Sequence, residues 1–226
     1  MLILSIDTAG LSGGITLAEA DAGLFRVLES AAIAGGTFSA QLIPTLAALL
    51  QKHGFRAVDI GGFAAASGPG SFTGLRVGLS AVKGLAETLH KPIAVVTVLE
   101  ALAALSETEG KIAAAMDAGR TEIFFGLYQS SDHAPARLRE ELLDRDAFHA
   151  ALTSEKPVLV ITSDASIAEL SKVSPCRVEL VQRPGSEMIA RIGAGKLLRC
   201  ETVSVEALDA TYLRRSDAEI FFKGQR

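Results

Sequence analysis

The chain has 226 residues, a formal net charge of −4, 49% apolar residues and 21% charged residues. This length allows one large domain or two of roughly 100–120 residues each, and the composition excludes a disordered chain. An acidic balance of this kind argues against a protein that holds RNA or DNA by its own basic surface, so any role with nucleic acid leans on a partner.

The opening, LILSID (2–7), is a short apolar run that ends in an aspartate. With no basic segment before Asp7 it does not read as a signal peptide. GGITLAEA (13–20) and FRVLESAAI (25–33) read as two further strands joined by a DAG turn (21–23). The uncharged stretch 30–51 is broken by Gly35, Gly36, Thr37, Ser39, Gln41 and Pro44 and is too polar for a membrane span. From Ser39 a helix is expected, because Leu42, Ile43, Leu46, Leu49 and Leu50 recur at helical spacing before Gly54. Pro44 fits it only in the first turn or at a kink. IGGFAAA (60–66) is a strand, 72–90 a helix, PIAVVTV (92–98) a buried strand, and a short helix runs to about Leu105.

The polar SETEGK (106–111) marks a boundary, giving an expected division into 1–106 and 107–226. The opening pattern then returns. IAAAMDAG (112–119) is again an apolar strand ending in an aspartate, and TEIFFGLYQS (121–130) is the next strand. PVLVITSD (157–164) and CRVELV (176–181) supply later strands, and EMIARIGAGKLLR (187–199) a helix. Asp7 and Asp117 occupy matching places in two strand-rich openings, each followed by helices and strands. The class is therefore α/β, with two halves of mixed sheet flanked by helices in the manner of the actin-like ATPase (ASKHA) fold. Cys176 and Cys200 lack metal or redox spacing and are expected as free, buried thiols of a cytoplasmic protein.

The segment SGPGSFTGLRVG (67–78) joins a strand to a helix and is rich in glycine. It is no Walker A loop, because Gly74 is followed by Leu75 and Arg76 where a lysine should reach a phosphate. The intervals among Gly68, Gly70 and Gly74 do not fit the dinucleotide fingerprint, and no Gly-x-Ser-x-Gly frame surrounds Ser71. One reading is a plain strand-to-helix turn with Ser71 or Thr73 near the N-cap. The other comes from the helix that follows. At 100° per residue, Leu75, Leu79, Val82, Ala86 and Leu89 make a large apolar face, and Arg76, Lys83, Glu87 and His90 a polar ridge. Gly74, Val77, Gly78, Ala81 and Leu85 make a third face, small and apolar, with Gly84 at its edge. Glycine inside a helix costs about 1 kcal/mol relative to alanine, and close approach of another helix offsets such a cost by van der Waals contact. That helix is either the chain's own 39–53 or one from a partner chain; in the partner reading the association surface is Gly74, Val77, Gly78, Ala81, Gly84 and Leu85, with Leu42 and Leu46 of the 39–53 helix.

Catalytic constellations are largely missing. His53, His90, His133 and His149 have no metal-site spacing. Asp7, with Thr8 beside it, and Asp117 stand at matching strand ends, where the functional reading is positioning of a metal or phosphate. The structural reading is an aspartate that hydrogen-bonds its own turn. The second half lacks a glycine-rich turn to seat an adenine.

The stretch ASGPGSFTGLRVGLSAVKGLAETLHKPIAVVTVLEALA (66–103) resembles the TsaB (YeaZ) family. ILSIDTA at the start, SAQLIPTLAALL (39–50), AAMDAGRTEIFFGLY (114–128) and DATYLRR (209–215) resemble it too, so the likeness spans most of the chain. It implies an actin-like fold whose catalytic centre has been lost, and a scaffold that pairs with the catalytic subunit TsaD and the ATPase TsaE to form N6-threonylcarbamoyladenosine at position 37 of tRNAs reading ANN codons. It also implies pairing through first-half helices, a homodimer when alone, tRNA reached only through the complex, no tightly bound cofactor, and ATP or ADP only at an interface of that complex. Two positions depart from the family pattern: Phe38 stands where a histidine is frequent, and Gly119 where an arginine is, with Arg120 one place later. The alternative is an enzyme in its own right, an actin-fold phosphotransferase or a glycoprotease-like hydrolase.

Overall fold

The computed structural model describes residues 1–131, 134–211 and 213; His133 and residues 212, 214 and 215 of the DATYLRR stretch lie outside the described residues. The first part of the chain folds as β1 (Leu2–Asp7), β2 (Ser12–Asp21), β3 (Leu24–Ala34), α1 (Phe38–Lys52), β4 (Ile60–Ala66), α2 (Phe72–Leu89), β5 (Ile93–Val96) and α3 (Val98–Ala103). The second part repeats the plan with β6 (Gly110–Gly119), β7 (Glu122–Ser131), β8 (Ala134–Asp144), α4 (Arg145–Glu155), β9 (Leu159–Thr162), α5 (Ala165–Ser171) and β10 (Arg177–Leu180). After it comes α6 (Ser186–Leu198), the last helix among the described residues.

Two five-stranded sheets result, ordered β3-β2-β1-β4-β5 and β8-β7-β6-β9-β10. In each, an antiparallel meander of three strands is extended by two parallel ones. The repeated topology follows from the repeated sequence pattern: tight turns close the antiparallel pairs, and helical crossovers are needed for the parallel ones. These are the two mixed-sheet halves of the actin-like fold.

The central strand β1 is buried at every residue. Its alternate side chains enter different cores, as the two-residue strand period requires. Leu4 and Ile6 join Leu42, Leu46, Leu79 and Val82 of α1 and α2, whereas Ile3 joins Ala64, Ala94, Ile189 and Ala194 on the α6 side. A Cβ added to Gly193 of α6 would stand 2.3 Å from the Ala64 Cβ, so glycine and alanine set the helix-to-sheet distance here. The helices near the chain crossings are exchanged. Leu99 and Leu102 of α3 pack on Ile112, Tyr128 and Leu159 of the second sheet, and α6, late in the chain, covers the first. In the second half Phe125 and Phe148 meet edge to face, centroids 6.0 Å apart.

Several local expectations change. β8, α4 and α5 have weak apolar periodicity and were not legible as elements. Thr97 is no strand residue: it caps α3, its hydroxyl accepting from the Glu100 N–H at 3.0 Å. Pro44 lies beyond the first turn of α1, on its exposed side. The two cysteines are free, but Cys176 is only partly buried and Cys200 is exposed. Among the described residues no helix is long and apolar enough to cross a membrane.

Candidate functional site

The glycine-rich turn opens α2 against the turn that follows β1. Ser71 is the N-cap, its Oγ accepting from the Gly74 N–H at 3.2 Å. The Ser71 N–H donates to the Ala9 carbonyl at 2.7 Å, and the Thr8 hydroxyl donates to the Gly74 carbonyl at 2.8 Å. Three glycines face this contact. A Cβ on Gly70 would lie 2.1 Å from the Ala9 carbonyl oxygen, one on Gly74 2.1 Å from that of Thr8, and one on Gly78 2.2 Å from Thr8 Oγ1. Their missing side chains serve first the chain's own 8–9 turn, and at Gly74 also the Phe38 ring of α1, 3.3 Å from the Cβ position, which corrects the expectation that Gly74 and Gly78 face a partner helix. Leu42 and Leu46 are likewise buried in the core that this half closes around itself.

Of the small face, Val77, Ala81 and Leu85 remain half-buried and Gly84 exposed, with open space around its Cβ position. Alongside, α1 turns Ala40, Ile43, Pro44, Ala47 and Ala48 outward. These positions and Ser80 form an outer helical surface without a formal charge, bordered by Arg76, Lys83 and Glu87. At its N-terminal end a groove of about 410 Å³ opens between Leu11, Gly36, Phe38, Thr73 and Val77. Leu11 beside it is 98% exposed. Phe38 is core: its ring packs where side chains on Gly13 and Gly74 would otherwise stand.

Asp7 and Asp117 make the same local bond. Asp7 Oδ1 accepts from the Ala9 N–H at 2.9 Å and Asp117 Oδ1 from the Gly119 N–H at 2.7 Å, so each aspartate fastens its own turn. Gly119 has φ +72°, a value glycine adopts freely, while Arg120 (φ 54°) and Thr121 (φ 69°) complete the hairpin in the left-handed region. The two carboxylates then differ. Asp117 is exposed, and its N–H donates to Asp164 Oδ2 at 3.1 Å. Asp7 is 1% exposed and bound by Arg183, whose Nη1 lies 2.9 Å from Oδ2 and Nη2 3.4 Å from Oδ1. No sequence motif points to Arg183, which lies 176 residues away from Asp7.

Among the described residues, no three His, Cys, Asp or Glu side chains come together to hold an ion. His53 lies 2.8 Å from Glu29 at the end of α1, where Lys52 first and His53 second hold the Glu29 carboxyl below its ordinary range. His90 is the left-handed C-cap of α2, and His149 belongs to α4.

A family model described as TsaD, tRNA N6-adenosine threonylcarbamoyltransferase, matches residues 32–170, more than half of the chain. The Bacillus subtilis (strain 168) tRNA threonylcarbamoyladenosine biosynthesis protein TsaB is 28% identical over 97% of this chain and 96% of its own length. The Escherichia coli (strain K12) protein of the same name is 28% identical over 79% of this chain and 81% of its own. Among solved structures, YeaZ from Pseudomonas aeruginosa superposes with a TM-score of 0.72 at 22% identity, covering 93% of this chain and 99% of that one. A second Pseudomonas aeruginosa protein, described as similar to peptidase YEAZ, reaches 0.77 at 24% identity, covering 94% and 99%. At those identities the structural likeness speaks for the fold alone.

Proposed function

The chain belongs to the TsaB (YeaZ) family and so to tRNA threonylcarbamoyladenosine biosynthesis, and from that premise we propose that it is the non-catalytic partner subunit of the modifying complex. In this reading it binds a TsaD-like catalytic subunit through the outer face of α1 and α2 and works with a TsaE-like ATPase. It pairs with itself when alone, meets tRNA only through the complex, and carries no cofactor of its own. The observation that supports the reading most is that uncharged face, from Ala40, Ile43 and Ala48 across to Ala81 and Gly84. Interface cores are depleted of charge in the same way.

The state of Asp7 supports the non-catalytic part. Its carboxylate is occupied by Arg183 and by the Ala9 N–H, which leaves little capacity to position a metal or a phosphate. The enzyme reading needs that aspartate free.

The experiment is reconstitution with a TsaD-like protein. The native chain should co-elute with it, Ala48→Glu should not, and both should melt at the same temperature. The lone chain should turn over no ATP with or without divalent metal, and transferase activity should appear only in the assembly. Robust turnover by the pure chain, lost in Asp7→Ala, would establish the enzyme reading instead.

A further inference from the structure

The chain passes from the first sheet to the second through α3 and returns between β10 and α6. Around both crossings, buried carboxylates take donors from across the division. On the return crossing, Arg183 follows β10 of the second sheet and grips Asp7 at the end of β1, donating also to the Pro184 carbonyl at 3.3 Å. The guanidinium packs where a side chain on Gly10 would stand, 3.1 Å from that Cβ position. On the outward crossing, Glu140 of β8 is nearly enclosed, its side chain 3% exposed. Its Oε1 accepts from the Thr97 hydroxyl, at the end of the first sheet, at 2.5 Å, and from the Tyr128 hydroxyl of β7. Between the crossings, Lys196 of α6, which lies on the first sheet, donates to Glu100 of α3, which lies on the second, at 2.6 Å. The same ammonium reaches the Val95 carbonyl of β5 at 2.8 Å.

The apolar contacts of α3 and α6 are non-directional and by themselves allow packed elements to slide. Charge-assisted hydrogen bonds, and the two-nitrogen grip of an arginine above all, fix one geometry. Buried ion pairs add little net stability beside apolar packing, and fixing a register is their best-attested use.

We propose that the hinge between the two halves is bolted from inside by Arg183 on Asp7, Lys196 on Glu100, and Thr97 on Glu140, a carboxylate that Tyr128 of its own sheet holds in place. The molecule then presents its surfaces at one fixed angle without a ligand in the cleft. Its halves form a rigid platform, unlike a clamp that closes on a substrate.

The test uses the full chain with Cys176→Ser and Cys200→Ser, spin-labelled at Glu87→Cys on α2 and Thr153→Cys on α4, both exposed positions, and diluted with unlabelled chain. Electron–electron distance measurement should give one narrow distribution, unmoved by Mg–ATP. Arg183→Met should broaden it, Arg183→Met with Lys196→Met should broaden it further, and Arg183→Lys should recover part of the width. A broad distribution in the unmutated background, a shift with Mg–ATP, or a folded double variant with the original width would overturn the proposal. If the double variant loses its cooperative melt, Arg183→Lys and Lys196→Gln, which remove only part of a tie, decide it: each must broaden the distribution, and the original width in both overturns the proposal.

Discussion

Substituting Gly78 and Gly84 by alanine should move stability in opposite directions, although both glycines sit inside the same helix. Alanine gains about 1 kcal/mol of helix propensity at either position. At Gly84 nothing lies within 4 Å of the new Cβ, so most of that gain should survive. At Gly78 the methyl would stand 2.2 Å from Thr8 Oγ1 and 3.3 Å from Ile6 Cγ2. Thr8 must move, and its 2.8 Å bond to the Gly74 carbonyl goes with it. Overpacking of this kind costs about 1–3 kcal/mol and the lost bond about 0.5–1.5, so a net loss of about 1–3 kcal/mol is expected. In a chain of this size each kcal/mol moves the melting temperature by roughly 2–4 °C. Urea unfolding with a constant slope, beside a thermal melt, reads both variants. In Thr8→Ala the Gly78→Ala penalty should shrink by about 0.5 kcal/mol or more, the coupling expected of residues in contact. A Gly78→Ala protein as stable as Gly84→Ala, or a penalty unchanged by Thr8→Ala, would refute the claim that α2 approaches β1 at this point.

Arg183→Ala should cost more than Asp7→Ala. The first strands a buried carboxylate, at about 3–5 kcal/mol. The second leaves an arginine that is 26% exposed and able to hydrate, with the Ala9 N–H unpaired, at about 1–3 kcal/mol; paired urea titrations give the order. The Glu155 carboxyl is held below its ordinary value of 4.5, first by its hydrogen bond to Lys111 and further by Arg139. A carboxyl depressed by folding stabilises above its ordinary value and loses that contribution as pH falls through the lowered one. The melting temperature of Glu155→Gln should therefore lie below the native one at pH 7, and the two should converge as the pH falls below 4.5 and through the lowered value. Burial, and then the neighbouring Glu140, push the Tyr128 hydroxyl far above its ordinary value of 10.0. Stability tied to its protonated form is complete below that value and falls as pH rises past it, so native protein should lose melting temperature above about pH 10 more steeply than Tyr128→Phe.

Much of this fold is legible in local pattern, because its strongest signals are local. β1, β4 and β6 are apolar runs bounded by glycine or aspartate, and α1 and α2 carry helical spacing. The recurrence of an aspartate at the end of β1 and in β6 reveals the repeated plan, down to the same carboxylate-to-amide bond in each turn. What escapes is whatever depends on distant partners. β8 (APARLREELLD) is an edge strand with solvent on one side, and its one enclosed carboxylate, Glu140, looks in sequence like its exposed neighbours. Arg183 sits in an irregular QRPG stretch, and only the return of α6 to the first sheet brings it to Asp7.

The glycines show how one pattern admits two physical causes. A helical row of small residues signals that something comes close, and period alone does not say what. Along α2 the answer changes with distance from the N-terminus. The strand β1 ends under the first two turns, so Gly74 and Gly78 meet Ile6 and Thr8. Beyond Gly78 the row has passed the end of the neighbouring turn, and Gly84 faces open space. An approaching helix would therefore find Ala81, Gly84 and Leu85 with α1 beside them, and would find Gly78 already covered. Bulk at Gly78 should be felt as lost stability, with association suffering only as the fold does, whereas bulk at Gly84 should spare the fold and act on association alone. Gly84→Leu in place of Gly78→Leu is thus the substitution that reports on a partner, and a Gly84→Leu protein that melts normally and still co-elutes with its partner would remove α2 beyond Gly78 from the proposed interface.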